Sequence, residues 1–241
     1  MKLAENERID DLQCDGLKII QDKSLYTFTS DSVVLANFVK TKKSDFCVEV
    51  GSGSGVISIL LSAKSKFQKC LCFEIQEQMF NLLNKNISLN NLNEKLVAIN
   101  DDIANFDKYI KSGEIDVVFS NPPYMKEDIS RNQNQVRDIA RHSSYLPIQT
   151  LCSVAGKMLK VGGKFYVVYT SERSAELIAN LLSNNLQPKK MFFTENGKGR
   201  VVLVVIEAVK GGKSGVTVLP QLTTNDKDGK YLEILQTKYV K

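Results

Sequence analysis

The chain has 241 residues, 43% of them apolar and 24% charged, the proportions of an ordinary globular protein. A chain of this length buries roughly 70–75% of its unfolded surface, so it needs no disulfide or metal staple to fold. The net charge of +5 permits a nucleic-acid partner without requiring one.

The five cysteines (Cys14, Cys47, Cys70, Cys72 and Cys152) contain no CxxC pair, and His142 is the only histidine. A metal site is therefore not expected, and the cysteines read as small buried hydrophobes kept reduced. The N-terminus MKLAENERIDD lacks an apolar h-region, and the longest apolar runs, such as VVLVVI at 201–206, are too short to span a bilayer. The expectation is a cytoplasmic monomer with no membrane partner.

Residues 16–29 (GLKIIQDKSLYTFT) read as two short strands around the turn at 21–24, and 31–40 as a helix capped by Ser30 or Asp31. From Asp45 strand and helix alternate. FCVEV (46–50) is a strand, followed by a glycine-rich turn and a helix to about Ala63. CLCFEI (70–75) is the next strand, with a helix after it through Asn90. LVAIN (96–100) precedes a short helix near 104–111, and IDVVFS (115–120) ends at Asn-Pro-Pro-Tyr. A helix near 147–159, the strand 163–170 and a helix over 171–184 follow. KKMFFTE (189–195) and GRVVLVVIEAV (199–209) close the run as a hairpin. This order predicts an α/β fold: an open, mostly parallel sheet flanked by helices, with an antiparallel edge hairpin. Residues 1–44 are expected to pack on a domain spanning 45–209, with 210–241 an extended tail.

Ligands of such sheets collect at the carboxyl ends of the strands, where three clusters fall. The first is Glu49-Val50-Gly51-Ser52-Gly53-Ser54-Gly55. Its G-x-G-x-G spacing departs from the G-x-G-x-x-G of dinucleotide folds and suits a nucleoside cofactor without a pyrophosphate. Glu49, Gly51, Ser52, Gly53 and Gly55 are its candidate contacts, against the plainer reading of a tight strand-to-helix turn. The second is Glu74-Ile75, closing the second strand of the alternating run. An acid about twenty residues past the glycines can accept hydrogen bonds from a ribose diol. A lone carboxylate in an apolar run is costly unless paired. After the third strand, Asp102 is a candidate for the cofactor's adenine amino group and Asp101 a less favoured one; two adjacent acids also suit a helix cap.

The third cluster is Asn121-Pro122-Pro123-Tyr124. Two prolines fix the backbone and remove two N–H donors. The Asn121 amide oxygen and the Pro122 carbonyl can then accept hydrogen bonds from an NH₂ group, and Tyr124 offers a face for a base. Arg131, Arg137, Arg141, Lys189 and Lys190 are candidate phosphate contacts or simply a solvated face; His142 adds no catalytic signal.

The motifs Asn121–Tyr124 and Val48–Gly55 resemble those of the class I, Rossmann-like amino methyltransferases. The segment Tyr26–Leu35 and the tail segments Val209–Val216 and Leu219–Leu222 are similar to those of the bacterial tRNA(valine) adenine-N6 methyltransferases. That resemblance runs from about Leu12 to Tyr231. It implies S-adenosylmethionine as cofactor, held by Glu49, Gly51, Ser52, Gly53, Gly55, Glu74, Ile75, Asp102 and Asn121. It implies tRNA as substrate, with the adenosine 3′ of the anticodon in a valine tRNA at Asn121, Pro122 and Tyr124. The competing substrate is the glutamine of a release factor, methylated at N5 by enzymes that share Asn-Pro-Pro-Tyr. Those enzymes usually carry a helical domain before the glycine motif, where this chain has about 45 residues that read as strands and one helix. A DNA adenine methyltransferase would normally need a target-recognition domain, and a cofactor-fold RNA-binding protein without activity would not need all three clusters intact.

Overall fold

The computed structural model describes residues 3–123 and 146–224. The chain opens with strands β1 (Glu7–Asp11) and β2 (Lys18–Asp22), which form a separate antiparallel hairpin, and helix α1 (Ser30–Phe38) follows. Strand β3 (Phe46–Val50) leads to α2 (Val56–Lys64), β4 (Lys69–Phe73) to α3 (Glu77–Leu89), and β5 (Leu96–Ile99) to a 3₁₀ turn at Ile103–Lys108. After β6 (Ile115–Ser120) come α4 (Ile148–Met158), β7 (Leu159–Thr170), α5 (Ser174–Ser183), β8 (Leu186–Glu195) and β9 (Val201–Lys210). Two short strands, β10 (Thr217–Val218) and β11 (Leu222–Thr223), end the described chain.

The main sheet has the order β5-β4-β3-β6-β7-β9-β8, and β10 and β11 both pair with β8. Strands β3 to β7 are parallel, and β9 runs antiparallel between β7 and β8. The expected α/β architecture is thus present. The closing hairpin is not outermost, because the tail returns to add parallel pairs along β8. That covers an edge whose unpaired backbone groups would otherwise be open to other chains.

The parallel strands are buried on both faces, which is why FCVEV and IDVVFS read as nearly unbroken apolar runs. On one face Val34, Leu35, Ile59, Leu60, Leu83 and Phe119 share a core; on the other Val48, Val118, Leu151, Cys152, Leu177 and Tyr169 share a second. Helix α3 buries Met79, Leu82, Leu83, Asn86 and Ile87, the spacing of a single helical stripe. All five cysteines are buried and free.

The N-terminal hairpin corrects the sequence reading. The turn lies at residues 12–17, where Gln13, Asp15 and Gly16 take positive φ, and the first strand is the charged segment ERIDD. Residues 25–29 are not a strand. ERIDD was not legible because its strand is paired on one edge only and largely exposed, so no apolar alternation marks it.

This hairpin is held by α3 through side-chain amides that imitate a neighbouring strand. Asn86 Oδ1 accepts the Ile20 N–H at 2.6 Å, and its Nδ2 donates to Ile20 O at 3.1 Å. Asn90 repeats the pattern on Lys18, at 2.9 and 2.7 Å. Asn86 Nδ2 also donates to Ser54 O at 2.9 Å, inside the glycine turn. Fully buried, it joins three segments distant in sequence. Its removal leaves three buried backbone groups unpaired, each of which costs about 1–3 kcal/mol. Asn86→Ala is therefore expected to lower the unfolding free energy by about 3 kcal/mol or more in urea titration, whereas an exposed asparagine such as Asn84 should contribute less than about 0.5 kcal/mol.

Candidate active site

Strand β3 is the switch point of the sheet: its successor β4 lies on one side and β6 on the other. At the carboxyl ends of these strands a cleft with about 740 Å³ of empty space opens to solvent. Gly51, Ser52 and Gly53 form its floor; Glu74, Ile75 and Gln76 form one flank and Asn121 and Pro123 the other. A smaller hollow of about 300 Å³ adjoins it, sharing Gly51 and Ile75 and adding Asp101, Asp102 and Ile103.

The glycine turn is built by the neighbouring strand end. The N–H groups of Gly51 and Ser52 both donate to Phe73 O, at 3.0 and 2.9 Å. Gly51 and Gly53 take φ of +69° and +55°, which L side chains rarely adopt. A Cβ on either would meet no protein atom closer than 3.6 Å, so the missing side chains leave open space above the loop. Gly55 differs. A Cβ there would lie 2.4 Å from Leu83 Cδ1, so it is glycine to let α3 pack against the turn, and it does not line the cleft.

Glu74 is the counterpart of that turn. Its Oε2 accepts the Gly53 N–H at 2.8 Å and its Oε1 accepts the Gln76 N–H at 2.9 Å. The pairing that its apolar surroundings demand is thus provided by the backbone. Each carboxylate oxygen keeps a second lone pair for a ligand. Burial raises its pKa above the ordinary value, and the backbone N–H groups of Gln76, Gly53 and Ile75 work against that rise.

Asp102 and Asp101 divide their roles. Asp102 Oδ1 accepts the Ala104 N–H at 2.8 Å and so caps the 3₁₀ turn, while its residue still lines the smaller hollow. Asp101 is fully engaged, receiving the Asp102 N–H, Asn105 Nδ2, Lys108 Nζ and the Tyr109 hydroxyl. The hydrogen bond from Asn105, followed by that from Lys108, holds its pKa down to about 2.

Asn121 follows β6 on the face covered by α1. Its Nδ2 donates to Ser32 Oγ at 3.0 Å. Its Oδ1 is buried and has no hydrogen-bond partner among the described residues. Pro122 is buried behind the cleft and Pro123 lines it. Tyr124, Arg131, Arg137, Arg141 and His142 lie outside the described residues.

Three expected contacts are not brought to the cleft. Glu49 is 1% exposed and points into the sheet face covered by α2, beside Cys72 and Ser58, because strand alternation turns it away from the cleft rim. Lys189 donates to Lys213 O and Gly215 O at 3.2 and 3.0 Å, tying down the tail. Lys190 stands 3.9 Å from Glu207 Oε1, within a group that includes Lys164 and the Tyr166 hydroxyl. Strands β7 and β9 separate both lysines from β6. In the other direction, the cleft recruits Tyr26, Phe28, Ser32, Met79 and Leu146, which the motifs did not single out as site residues. Tyr26 and Phe28 stand between β2 and α1 in a segment read as strand, and only the resemblance to known sequences marked it.

The methyltransferase small domain model matches residues 27–197, from the cleft-lining segment before α1 to the β8–β9 turn. The chain belongs to the methyltransferase small domain family. Among curated relatives of this methyltransferase, the tRNA1(Val) (adenine(37)-N6)-methyltransferase of Dyadobacter fermentans is 22% identical over 229 residues, covering 92% of this chain and 93% of the relative. The enzyme of the same name from Flavobacterium johnsoniae is 25% identical over 182 residues, covering 74% and 76%. Among solved structures, M. jannaschii TYW2 in complex with AdoMet superposes with a TM-score of 0.59 at 17% identity, covering 86% of this chain and 87% of that one. That likeness is one of fold. Among the described residues no helix of this methyltransferase is long and apolar enough to cross a membrane.

The buried Glu49 makes a testable contribution to stability. Burial raises its pKa well above the ordinary 4.5, with the nearby Cys72 adding to the rise. The folded state therefore holds the Glu49 proton at a pH where the unfolded state has released it, and stability falls as pH rises between the two values. Glu49→Gln removes that term. The variant should match the parent at pH values below the ordinary carboxylate pKa and become progressively the more stable one as pH rises; denaturant titrations at a series of pH values check it.

Proposed function

We propose that this methyltransferase transfers the methyl group of S-adenosylmethionine to the exocyclic N6 amine of an adenosine in tRNA, the adenosine 3′ of the anticodon in a valine tRNA. The observation that carries the reading is the buried, unpartnered Asn121 Oδ1 at the rim of the glycine-floored cleft. A buried acceptor without a partner is costly, and a donor from the substrate would satisfy it. An aromatic amine supplies that donor. The names and near full-length coverage of the curated relatives support the same substrate.

The chain's own residues fit the cofactor. Gly51 and Gly53 leave a cradle that a Cβ would fill, and Ser52 lies between them. Glu74, with lone pairs to spare, would take the ribose hydroxyls. Ile75 and Ile103 line the smaller hollow as apolar walls for adenine, with Asp102 beside them for its amino group. When bound, S-adenosylmethionine supplies an electrophilic methyl group. The protein then has to orient the amine. Asn121 is a neutral amide and takes no proton at neutral pH; it accepts a hydrogen bond and stabilises positive charge as it develops on the amine nitrogen. The Pro122 carbonyl is the second acceptor, and Tyr124 would carry the extruded base on its ring, an interaction worth about 1–3 kcal/mol. Extrusion from a tRNA loop costs less than from a duplex. Arg131, Arg137 and Arg141, which follow that base platform in sequence, are the proposed phosphate contacts; Lys189 and Lys190 are given up for this role.

Purified protein, labelled S-adenosylmethionine and tRNA from cells lacking the gene should yield labelled N6-methyladenosine after digestion to nucleosides. Label on a release-factor glutamine instead, with none in tRNA, would overturn the substrate. Asn121→Ala should lower the transfer rate by about 10²–10³-fold, the usual loss for one preorganised group at a charge-developing centre, while the cofactor dissociation constant stays within about twofold. Glu74→Ala should do the reverse at the binding step. It frees the Gly53 N–H and removes the ribose acceptor, so calorimetry should show affinity weakened by at least about tenfold, given about 1.5–3 kcal/mol per hydrogen bond to a charged group. An unchanged affinity would remove Glu74 from the cofactor site.

A further inference from the structure

The two faces of an asparagine amide have nearly the same shape and opposite hydrogen-bonding character. Packing alone cannot choose between them, so the partner of one face decides what the other presents to a ligand. At Asn121 that partner is Ser32, in the first turn of α1 and 5% exposed. Its Oγ receives Asn121 Nδ2 at 3.0 Å, and both residues line the cleft. Oδ1 is left as the buried, unpartnered end of the amide. With the amide reversed, an NH₂ would face the incoming amine, donor against donor.

We propose that Ser32 is a positioning residue: its hydroxyl holds the Asn121 amide with the NH₂ toward α1 and the oxygen toward the substrate amine. The inference rests on the function proposed above. It explains why a hydroxyl is kept on an otherwise apolar buried stripe of α1, between Val34, Leu35 and Ala36 and the cleft. It also gives α1, which carries none of the sequence motifs, a direct part in the site.

The test compares Ser32→Ala in two backgrounds, the native Asn121 and Asn121→Asp, by single-turnover methylation of tRNA. In the native background the rate should fall about tenfold, the effect of losing one oriented hydrogen bond. The dissociation constant for S-adenosylhomocysteine and the melting temperature should stay close to the parent values. In the Asp background both side-chain oxygens are acceptors, orientation no longer matters, and the same change should cost less than about twofold. Equal losses in both backgrounds, no loss in the native one, or a parallel loss of cofactor affinity and melting temperature would each overturn the role. A readout independent of turnover separates this inference from the proposed function. The Asn121 side-chain NH₂ should be protected from solvent exchange in the ¹⁵N-labelled parent and lose that protection in Ser32→Ala. Protection that is absent in the parent or unchanged in the variant refutes the positioning role even if the parent methylates tRNA. Protection lost as expected in a parent that methylates no tRNA leaves the amide contact intact and sinks the substrate assignment alone.

Discussion

The site depends on one carboxylate held by backbone. Glu74 stands at the end of β4 with each oxygen on a different segment, Gly53 in the glycine turn and Gln76 at the start of α3. The turn cannot make these connections for itself. The N–H groups of Gly51 and Ser52 are already spent on Phe73 O, and positive φ at three successive glycines leaves the loop without side chains to fix it. A buried carboxylate is tolerated because several N–H donors offset its desolvation, and the same donors define the loop's shape. The cofactor floor and the acid beside it are therefore one structure, and any group bound between them meets a surface already formed.

This arrangement explains which parts of the site were legible in the sequence. The glycine spacing, Glu74 and Asn121-Pro122-Pro123 are local signals, each at a strand end, and in an open parallel sheet strand ends converge. Glu49 misled because adjacency to the glycines in sequence is not adjacency in space: one step along a strand turns a side chain to the opposite face. Lys189 and Lys190 misled because sign of charge carries no address; one closes the tail and the other answers Glu207. Tyr26, Phe28 and Ser32 could not be placed by local pattern. Their position depends on how the segment between β2 and α1 crosses the ends of β3 and β6, which is set by contacts 50 to 90 residues away. The contact between Asn121 and Ser32, for example, spans 89 positions.

The fold itself was legible from β3 to β9 because alternating buried strands and amphipathic helices leave few topologies. The hairpin at the N-terminus was not, since half of it is charged and exposed. Asparagines on α3 replace the missing hydrophobic signal there, and asparagine in a helix ordinarily suggests an exposed polar face or a cap. Asn86 is buried because its amide can satisfy a strand's N–H and C=O together, as a second strand would.

That substitution of side chain for strand has a consequence for catalysis. Asn86 binds Ile20 in the hairpin and Ser54 in the glycine turn at once. The hairpin leads directly into Tyr26 and Phe28, the walls of the cleft, and then into α1 and Ser32. A displacement of the glycine turn is thus transmitted to the opposite wall through one amide and about a dozen residues of chain. Methyl transfer demands that donor and acceptor be held within a few tenths of an ångström of an in-line approach, and the entropy removed by such holding is a main source of rate. In this molecule the cofactor floor and the wall that orients the amine are not positioned independently. They are tied at α3, on the side of the sheet away from solvent, where the hydrogen bonds that connect them are least exchanged for water.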